Sequence, residues 1–314
     1  MSTENKVLVD ASEYILTITF NRPDKLNALD PESFHLLAQA LYRLQHDSEL
    51  RVGVIQAKGK HFTSGLELDQ WAPIFAKGQA PEIGPDEIDP YGIAGTILTK
   101  PLIIAVQGLC FTSGLELLLN TEIRLATAET RFAQLEVQRG IYPCGGGTVR
   151  LPEEIGWARA QRYLLTGDEF SGQQAYDWGM ITELCEPETL QQRARELALK
   201  VAAAAPLGVQ AALKSSKIGR LHGDSAALAE VFDDLAKVMT SEDAAEGVRS
   251  FMERRAAVFK GAKALILFTA MLCSIRYSCV KTLQVHPCRL HTAIHGGAGF
   301  TSLYLTLPVK FRVC

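Results

Sequence analysis

The chain has 314 residues, 47% of them apolar and 21% charged, with a formal net charge of −3. That length and composition supply a sizeable core and exclude a disordered chain, a collagen-like repeat and a small disulfide scaffold. The near-neutral charge gives no case for nucleic acid over the whole molecule, although it is unevenly spread. The last acid is Glu253, and residues 261–314 carry Lys263, Arg276, Lys281, Arg289, Lys310 and Arg312 with no acid at all.

In chain order, Tyr14–Phe20 reads as a strand ending at the turn cluster Asn21-Arg22-Pro23-Asp24. Asp30-Pro31-Glu32 reads as an N-cap, a first-turn proline and a first-turn acid, followed by Phe34, Leu37, Ala38, Leu41 and Leu44 at helical spacing. Short buried strands are expected at Val52–Ile55, Leu102–Val106, Ile123–Ala126 and Ile181–Leu184. Residues 72–95, rich in Pro and Gly, read as one long connection. Helices are expected over Thr189–Ala205, Leu207–Gly219, Ser225–Met239 and Asp243–Phe259. Short strands alternating with helices predict an α/β fold whose parallel strands are buried on both faces.

Three cysteines scattered over the first 260 residues (Cys110, Cys144, Cys185) suit a reduced, cytoplasmic protein. Met1–Lys6 lacks the apolar stretch of a secretory leader. The longest uncharged apolar run, Ala264–Ile275, falls short of the roughly 20 residues a membrane span needs. His35, His46 and His61 have no metal-ligand spacing, and Trp71, Trp157 and Trp178 read as core or interface residues.

The hexapeptide Thr-Ser-Gly-Leu-Glu-Leu occurs at 63–68 and again at 112–117, each time reading as a helix entry. Small residues at a helix start leave backbone N–H groups free to stabilise a ligand oxygen, and two such starts can supply two converging donors. Tight packing explains the same pattern equally well. Glu116 and Glu136 lie in apolar runs, where an acid needs a partner or a task. The bland alternative is an edge-strand position or an ion pair with Arg124, Arg139 or Arg150.

Taken in order, further motifs narrow the choice: Ile18–Pro23 with Leu26-Asn27-Ala28-Leu29, Phe62–Leu68, Lys100–Gly108, Gly114–Leu117, Phe132–Glu136, Gly140–Thr148, Leu165-Thr166-Gly167 and Ala175–Gly179. From Ile15 to about Gly261 the chain resembles the crotonase family, and within it the enoyl-CoA hydratases. The resemblance implies a spiral of ββα units over residues 1–187. C-terminal helices over 188–260 would build a homotrimer or a hexamer of two trimers.

It also implies that the amides of Leu66 and Ser113 hold the thioester oxygen of an acyl-CoA. Glu116 and Glu136 would add water across C2=C3, with Glu136 handling the C2 proton. Lys25, Leu26, Ala28, Glu67, Leu68 and Gly114 would contact the substrate. No cofactor and no metal are implied, since coenzyme A enters as part of the substrate. Isomerases of the family keep the acid near Glu136 and lack the other. Dienoyl isomerases use an acid eight residues after the second glutamate, where this chain has Cys144. Acyl-CoA hydrolysis and a non-catalytic acyl-CoA- or RNA-binding role remain as alternatives, the acidic body disfavouring RNA. Two departures stand out: Ser113 has a Cβ that restricts positive φ, and Leu66 is bulkier than the small residue often found there.

Residues 261–314 match nothing in the family and read as an atypical tail outside the fold. Cys273, Cys279, Cys288, His286, His291 and His295 fit no usual zinc spacing, and Gly296–Gly299 lacks the strand and helix of a phosphate loop. A membrane-touching role for the tail is the less favoured reading.

Overall fold

The computed structural model describes residues 5–261, so the tail from residue 262 onward lies outside the described residues. The chain opens on a hairpin of β1 (Val7–Ser12) and β2 (Ile15–Phe20), paired antiparallel from Ser12↔Ile15 to Val7↔Phe20. Its two-residue turn places Glu13 and Tyr14 at φ 52° and 64°. Positive φ at both centre positions is the type I′ requirement, normally signalled by Asn-Gly. Here the Arg51 guanidinium lies 3.9 Å from the centroid of the Tyr14 ring, and Arg51 N–H donates to Tyr14 O. Tertiary contacts thus hold a turn that its own residues do not advertise.

Helix α1 (Pro31–His46) starts as expected, with the Asp30 carboxylate accepting from Ser33 N–H at 2.8 Å. There follow β3 (Val52–Ala57), α2 (Leu68–Phe75), β4 (Leu102–Val106), β5 (Leu109–Phe111), α3 (Ser113–Leu119), β6 (Ile123–Ala126) and β7 (Arg131–Ala133). Beyond them come α4 (Gly147–Ile155), α5 (Trp157–Thr166), β8 (Phe170–Ser171), α6 (Gly172–Asp177) and β9 (Glu183–Leu184). The last four helices are α7 (Leu190–Ala203), α8 (Pro206–His222), α9 (Asp224–Met239) and α10 (Glu242–Glu253).

One sheet has the order β1-β2-β3-β4-β6-β9 and is parallel from β2 onward; a smaller one has the order β5-β7-β8. Each long strand is followed by a short segment in or beside the second sheet and then, in most units, by a helix. Thus β4-β5-α3 repeats the plan of β3, the Thr63↔Cys110 bridge and α2. This is the mixed α/β spiral the motifs imply.

The large sheet is buried on both faces because its strands alternate within apolar runs. Leu102, Ile104 and Val106 face the main core with Ile18, Phe34 and Leu41. Ile103 and Ala105 face the other side, where α7 lays down Leu190, Ala194, Ala198 and Ala202. That stripe recurs every four residues, and its alanines let the helix approach the sheet closely. Hence α7 belongs to the packing of the core, although residue 188 reads in sequence as the start of a helical appendage.

Three expectations need correction in detail. The connection begins later, because α2 runs to Phe75 with Pro73 inside it. The strand expected at Ile181–Leu184 is paired only at Glu183–Leu184. Helix α10 stops at Glu253 because Arg254 takes φ 53° and the chain folds back, Lys260 and Gly261 N–H donating to the Asp243 carboxylate.

Candidate active site

The repeated hexapeptides meet across the small sheet. Thr63 N–H donates to Leu109 O (2.9 Å), and Phe111 N–H donates to Thr63 O (3.1 Å). Each glycine of one copy abuts the threonine of the other. A Cβ on Gly65 would lie 2.0 Å from Thr112 Oγ1, and one on Gly114 would lie 2.3 Å from Thr63 Cγ2. Only residues without a Cβ let the two loops approach this closely.

The copies nevertheless differ in conformation. The second enters α3 at Ser113, whereas the first stays extended through the Leu29↔Leu66 bridge and enters α2 only at Leu68. As a result Leu66 N–H and Ser113 N–H donate no hydrogen bond among the described residues. Leu66 sits in a bridge that uses the N–H groups of Leu29 and Glu67, and Ser113 heads a helix whose first-turn donors have no intrahelical partner. The positive φ expected to strain Ser113 belongs instead to Thr112 (φ 49°, ψ −114°), a costly place for a β-branched residue. The Leu66 side chain is partly buried and packs against the main core.

Both glutamates are buried. Glu116, 3% exposed, projects from α3, and its Oε1 accepts from Gly145 N–H (2.7 Å) and Gly147 N–H (2.9 Å). A Cβ on Gly145 would fall 2.4 Å from Glu116 Oε2, so this approach also needs glycine. Glu136, 9% exposed, opens a 3-10 turn (Glu136–Arg139) just after β7. With its amide nitrogen turned toward the carboxylate, buried Gln134 donates to both Glu136 oxygens at 2.9 and 3.0 Å.

Burial pushes Glu116 up to about 7 against the pull of its two amide donors and Arg150. Burial, and then the charge of Glu116, pushes Glu136 up to about 8. The Cys144 thiol, raised to about 11 by burial and by both carboxylates, borders the pair. Neither glutamate has an ion-pair partner among the described residues. Arg124 pairs with Glu154 at 3.0 Å, while Arg150 donates to the carbonyls of Tyr91, Gly92 and Gly145. Two coupled acids, unequal in affinity for a proton, therefore sit near two unpaired backbone donors. That set suits acid–base work on a carbon acidified by a carbonyl.

Residues 10–262 match the sequence profile of the family described as enoyl-CoA hydratase/isomerase. Among curated proteins, the enoyl-CoA hydratase EchA19 of Mycobacterium tuberculosis is 34% identical over 258 residues, covering 81% of this chain and 96% of that one. The carnitinyl-CoA dehydratase of Salmonella typhi is 35% identical over 257 residues, covering 79% and 95%. Among solved structures, a probable enoyl-CoA hydratase/isomerase from Mycobacterium abscessus superposes with a TM-score of 0.78 at 38% identity, covering 82% of this chain and 99% of that one. The chain belongs to the enoyl-CoA hydratase/isomerase family.

In this crotonase fold the Lys25–Ala28 turn runs beside the donor loop. Ser64 N–H donates to Leu26 O, Thr63 Oγ1 to Asn27 O, and Leu29 N–H to Gly65 O. Lys25 and Leu26 are exposed and Ala28 half-buried. Leu26 and Asn27 take left-handed φ of 52° and 53°. Glu67 is turned toward Arg22 (2.7 Å), Leu68 is exposed, and Gly114 is buried against Thr63.

Several contributors went unnoticed in the sequence. Asn27, 1% exposed, accepts from Arg22 N–H and donates to Lys58 O and His61 O, fixing the turn. Gly145 and Gly147 stand out in the sequence only as part of the Gly140–Thr148 motif, and Gln134 only as part of Phe132–Glu136. A polar residue two positions before a buried acid was the available signal for Gln134.

The connection after α2 forms a strap. The Asp89 carboxylate accepts from the amides of Tyr91, Ile93 and Ala94, Asn120 Nδ2 donates to Pro90 O, and Arg150 holds two further carbonyls. A cavity of about 460 Å³ lies beside this strap, lined by Asp89, Asn120, Arg124, Arg150 and Lys217 among others. It touches neither glutamate, and most of its charges are already paired, so we place the chemistry at the carboxylates and not there. Among the described residues no three His, Cys, Asp or Glu side chains are grouped to hold a metal ion. No single described helix is long and apolar enough to cross a membrane; α7 and α8 reach that test only jointly, bent by 106°.

Proposed function

We propose that the protein hydrates a 2-enoyl-CoA thioester, with the amides of Leu66 and Ser113 holding the thioester oxygen and Glu116 and Glu136 flanking C2 and C3. The observation that carries this reading is the pair of buried, unequal carboxylates beside two unpartnered N–H groups. Two N–H donations to Glu116 favour its ionised form, so it is the base. Glu136 also accepts two donations, from Gln134, but it feels the charge of Glu116 and is pushed higher, to about 8, so it holds its proton and is the acid.

Glu116 takes a proton from water as the water oxygen bonds to C3. The C2=C3 electrons move onto the thioester oxygen as an enolate, which the two amides stabilise. Glu136 then gives its proton to C2, leaving a 3-hydroxyacyl thioester. No cofactor or metal enters these steps. The acyl-CoA reading has support from the names of the relatives, and the second buried acid favours hydration over isomerisation. Self-association accompanies the proposal: α9 and α10 expose Leu228, Phe232, Phe251 and Met252, with Phe251 81% exposed, a surface that a second copy of the chain would cover.

The test is loss of the enoyl thioester ultraviolet absorbance with crotonyl-CoA, with free-thiol detection alongside. Hydration bleaches the chromophore without releasing thiol, whereas hydrolysis releases it. Glu116→Gln and Glu136→Gln are expected to lower kcat by ~10²–10⁴ while CoA-ester binding persists. Full activity in both variants would overturn the assignment.

A further inference from the structure

The glycine turn that holds Glu116 is itself held by a side chain the reaction leaves unused. Arg150 projects from α4 and is half-buried. Its Nη1 donates to Tyr91 O (2.7 Å) and Gly145 O (3.4 Å), and its Nη2 donates to Gly92 O (3.2 Å). A Cβ on Gly146 would fall 2.7 Å from Nη1 and 3.1 Å from Cζ, so the guanidinium rests directly on that residue. Gly145 and Gly147, on either side of it, are the two donors to Glu116 Oε1. The Arg150 amide also donates to Gly146 O (2.9 Å), the carbonyl of the peptide whose N–H belongs to Gly147.

A cation withdrawn from water ordinarily takes a carboxylate partner, because carbonyls leave its charge uncompensated. Among the described residues the Arg150 guanidinium has carbonyl partners only. Its neighbours behave otherwise: Arg124 pairs with Glu154, and Arg220 pairs with Glu153 and Glu154. A planar fork that reaches three carbonyls in two segments fixes both segments at once, which a point charge on a flexible stem does not. One segment is the glycine turn. The other is the strap, where Asp89 accepts from three amides and Asn120 Nδ2 donates to Pro90 O, so the carbonyls it offers are firmly held. The uncompensated charge also pulls Glu116 toward its ionised form.

We propose that Arg150 is a positioning residue for the base: by clamping Gly145 and Gly146 to the strap, it keeps the amides of Gly145 and Gly147 aimed at Glu116 Oε1. It touches no reacting atom and acts through those two amides. Its effect on turnover rests on the hydratase reading, whereas its hold on Glu116 does not.

The test uses Arg150→Lys, which keeps the charge and loses the fork, and Arg150→Gln, which loses both, each in the full chain and below its melting transition. With crotonyl-CoA both are expected to lower kcat by about 10–100-fold and to change KM by less than about threefold, the loss expected of a misaimed base. In the Glu116→Gln background the same substitutions should cost less than about twofold, because the residue they act through is gone. Full additive losses there, or parental kcat in Arg150→Lys, overturn the proposal. A second readout needs no substrate: the infrared carboxyl band that Glu116→Gln removes is followed against pH. Its midpoint is expected to rise by about half a unit or more in Arg150→Lys, as the amide donations weaken, and further in Arg150→Gln. An unmoved midpoint in Arg150→Lys overturns the proposal even if that variant melts earlier, since lost strap contacts alone lower stability and leave the titration in place. A raised midpoint in a protein that hydrates nothing removes the hydratase reading and leaves the clamp, whereas hydration with an unmoved midpoint does the reverse.

Discussion

Replacing Glu136 by Gln tests the electrostatics of the site through folding stability. Glu136 ordinarily titrates at 4.5 and is pushed up to about 8 in the fold. Between those values the unfolded chain has released the proton and the folded chain still holds it, so stability falls as pH rises, by about 1.4 kcal/mol per unit. Above the folded value the penalty is complete, about 5 kcal/mol at most. Below the unfolded value it is absent. Gln is nearly isosteric and never ionises, so Glu136→Gln is expected to match the parent near pH 4 and exceed it by several kcal/mol at pH 9. Activity moves the opposite way. The assay is urea unfolding at a series of pH values and one fixed protein concentration, because any self-association shifts apparent stability. Taking the difference between variant and parent cancels groups common to both. A difference that stays flat from pH 4 to pH 9 would refute the claim that this carboxyl is buried beside another negative charge.

The same shifts predict a bell-shaped kcat/KM profile, with an acidic limb near 7, where Glu116 must ionise, and an alkaline limb near 8, where Glu136 must keep its proton. The two apparent values belong to the pair; in initial-rate measurements Glu136→Gln should lose the alkaline limb and Glu116→Gln the acidic one. The interlocked loops give another expectation. Gly65→Ala adds a Cβ at φ 106° and 2.0 Å from Thr112 Oγ1, so it should destabilise by about 2–4 kcal/mol, combining backbone strain and overpacking. Thr112→Gly in the same chain should recover the overpacking part, giving a coupling of about 1–3 kcal/mol by double-mutant cycle. Strict additivity would show that the two residues do not meet.

The site's positioning follows from a division of labour between the sheets. The large sheet fixes β3 and β4 in register, with Gly53↔Leu102 and Ile55↔Ile104 paired. The segments following these strands then cross at Thr63 and Cys110, where both donor loops start. Rigid strands thus deliver two loops to one place, and the reciprocal Gly–Thr contacts set the spacing between their free amides.

Local chemistry was enough to read the elements whose signals lie within a few residues. Asp30 and Pro31 start α1, the five-residue run Leu102–Val106 is β4, and the helical periodicities of α7 to α10 are legible because period and capping are short-range properties. Glu116 and Glu136 stood out because an acid in an apolar run is costly wherever the chain goes. Everything that depends on pairing distant segments was out of reach. The β1–β2 turn is held by Arg51, and β5, β7 and β8, at two or three residues each, have no period to detect and exist only through their partners. The hexapeptide shows the limit most clearly, since one string of six residues adopts two conformations. Likewise, nothing near Glu116 in the chain reveals that its donors come from Gly145 and Gly147. Those contacts are formed by the fold as a whole, whose packing energy outweighs local preference and fixes where each free N–H and each buried carboxylate points.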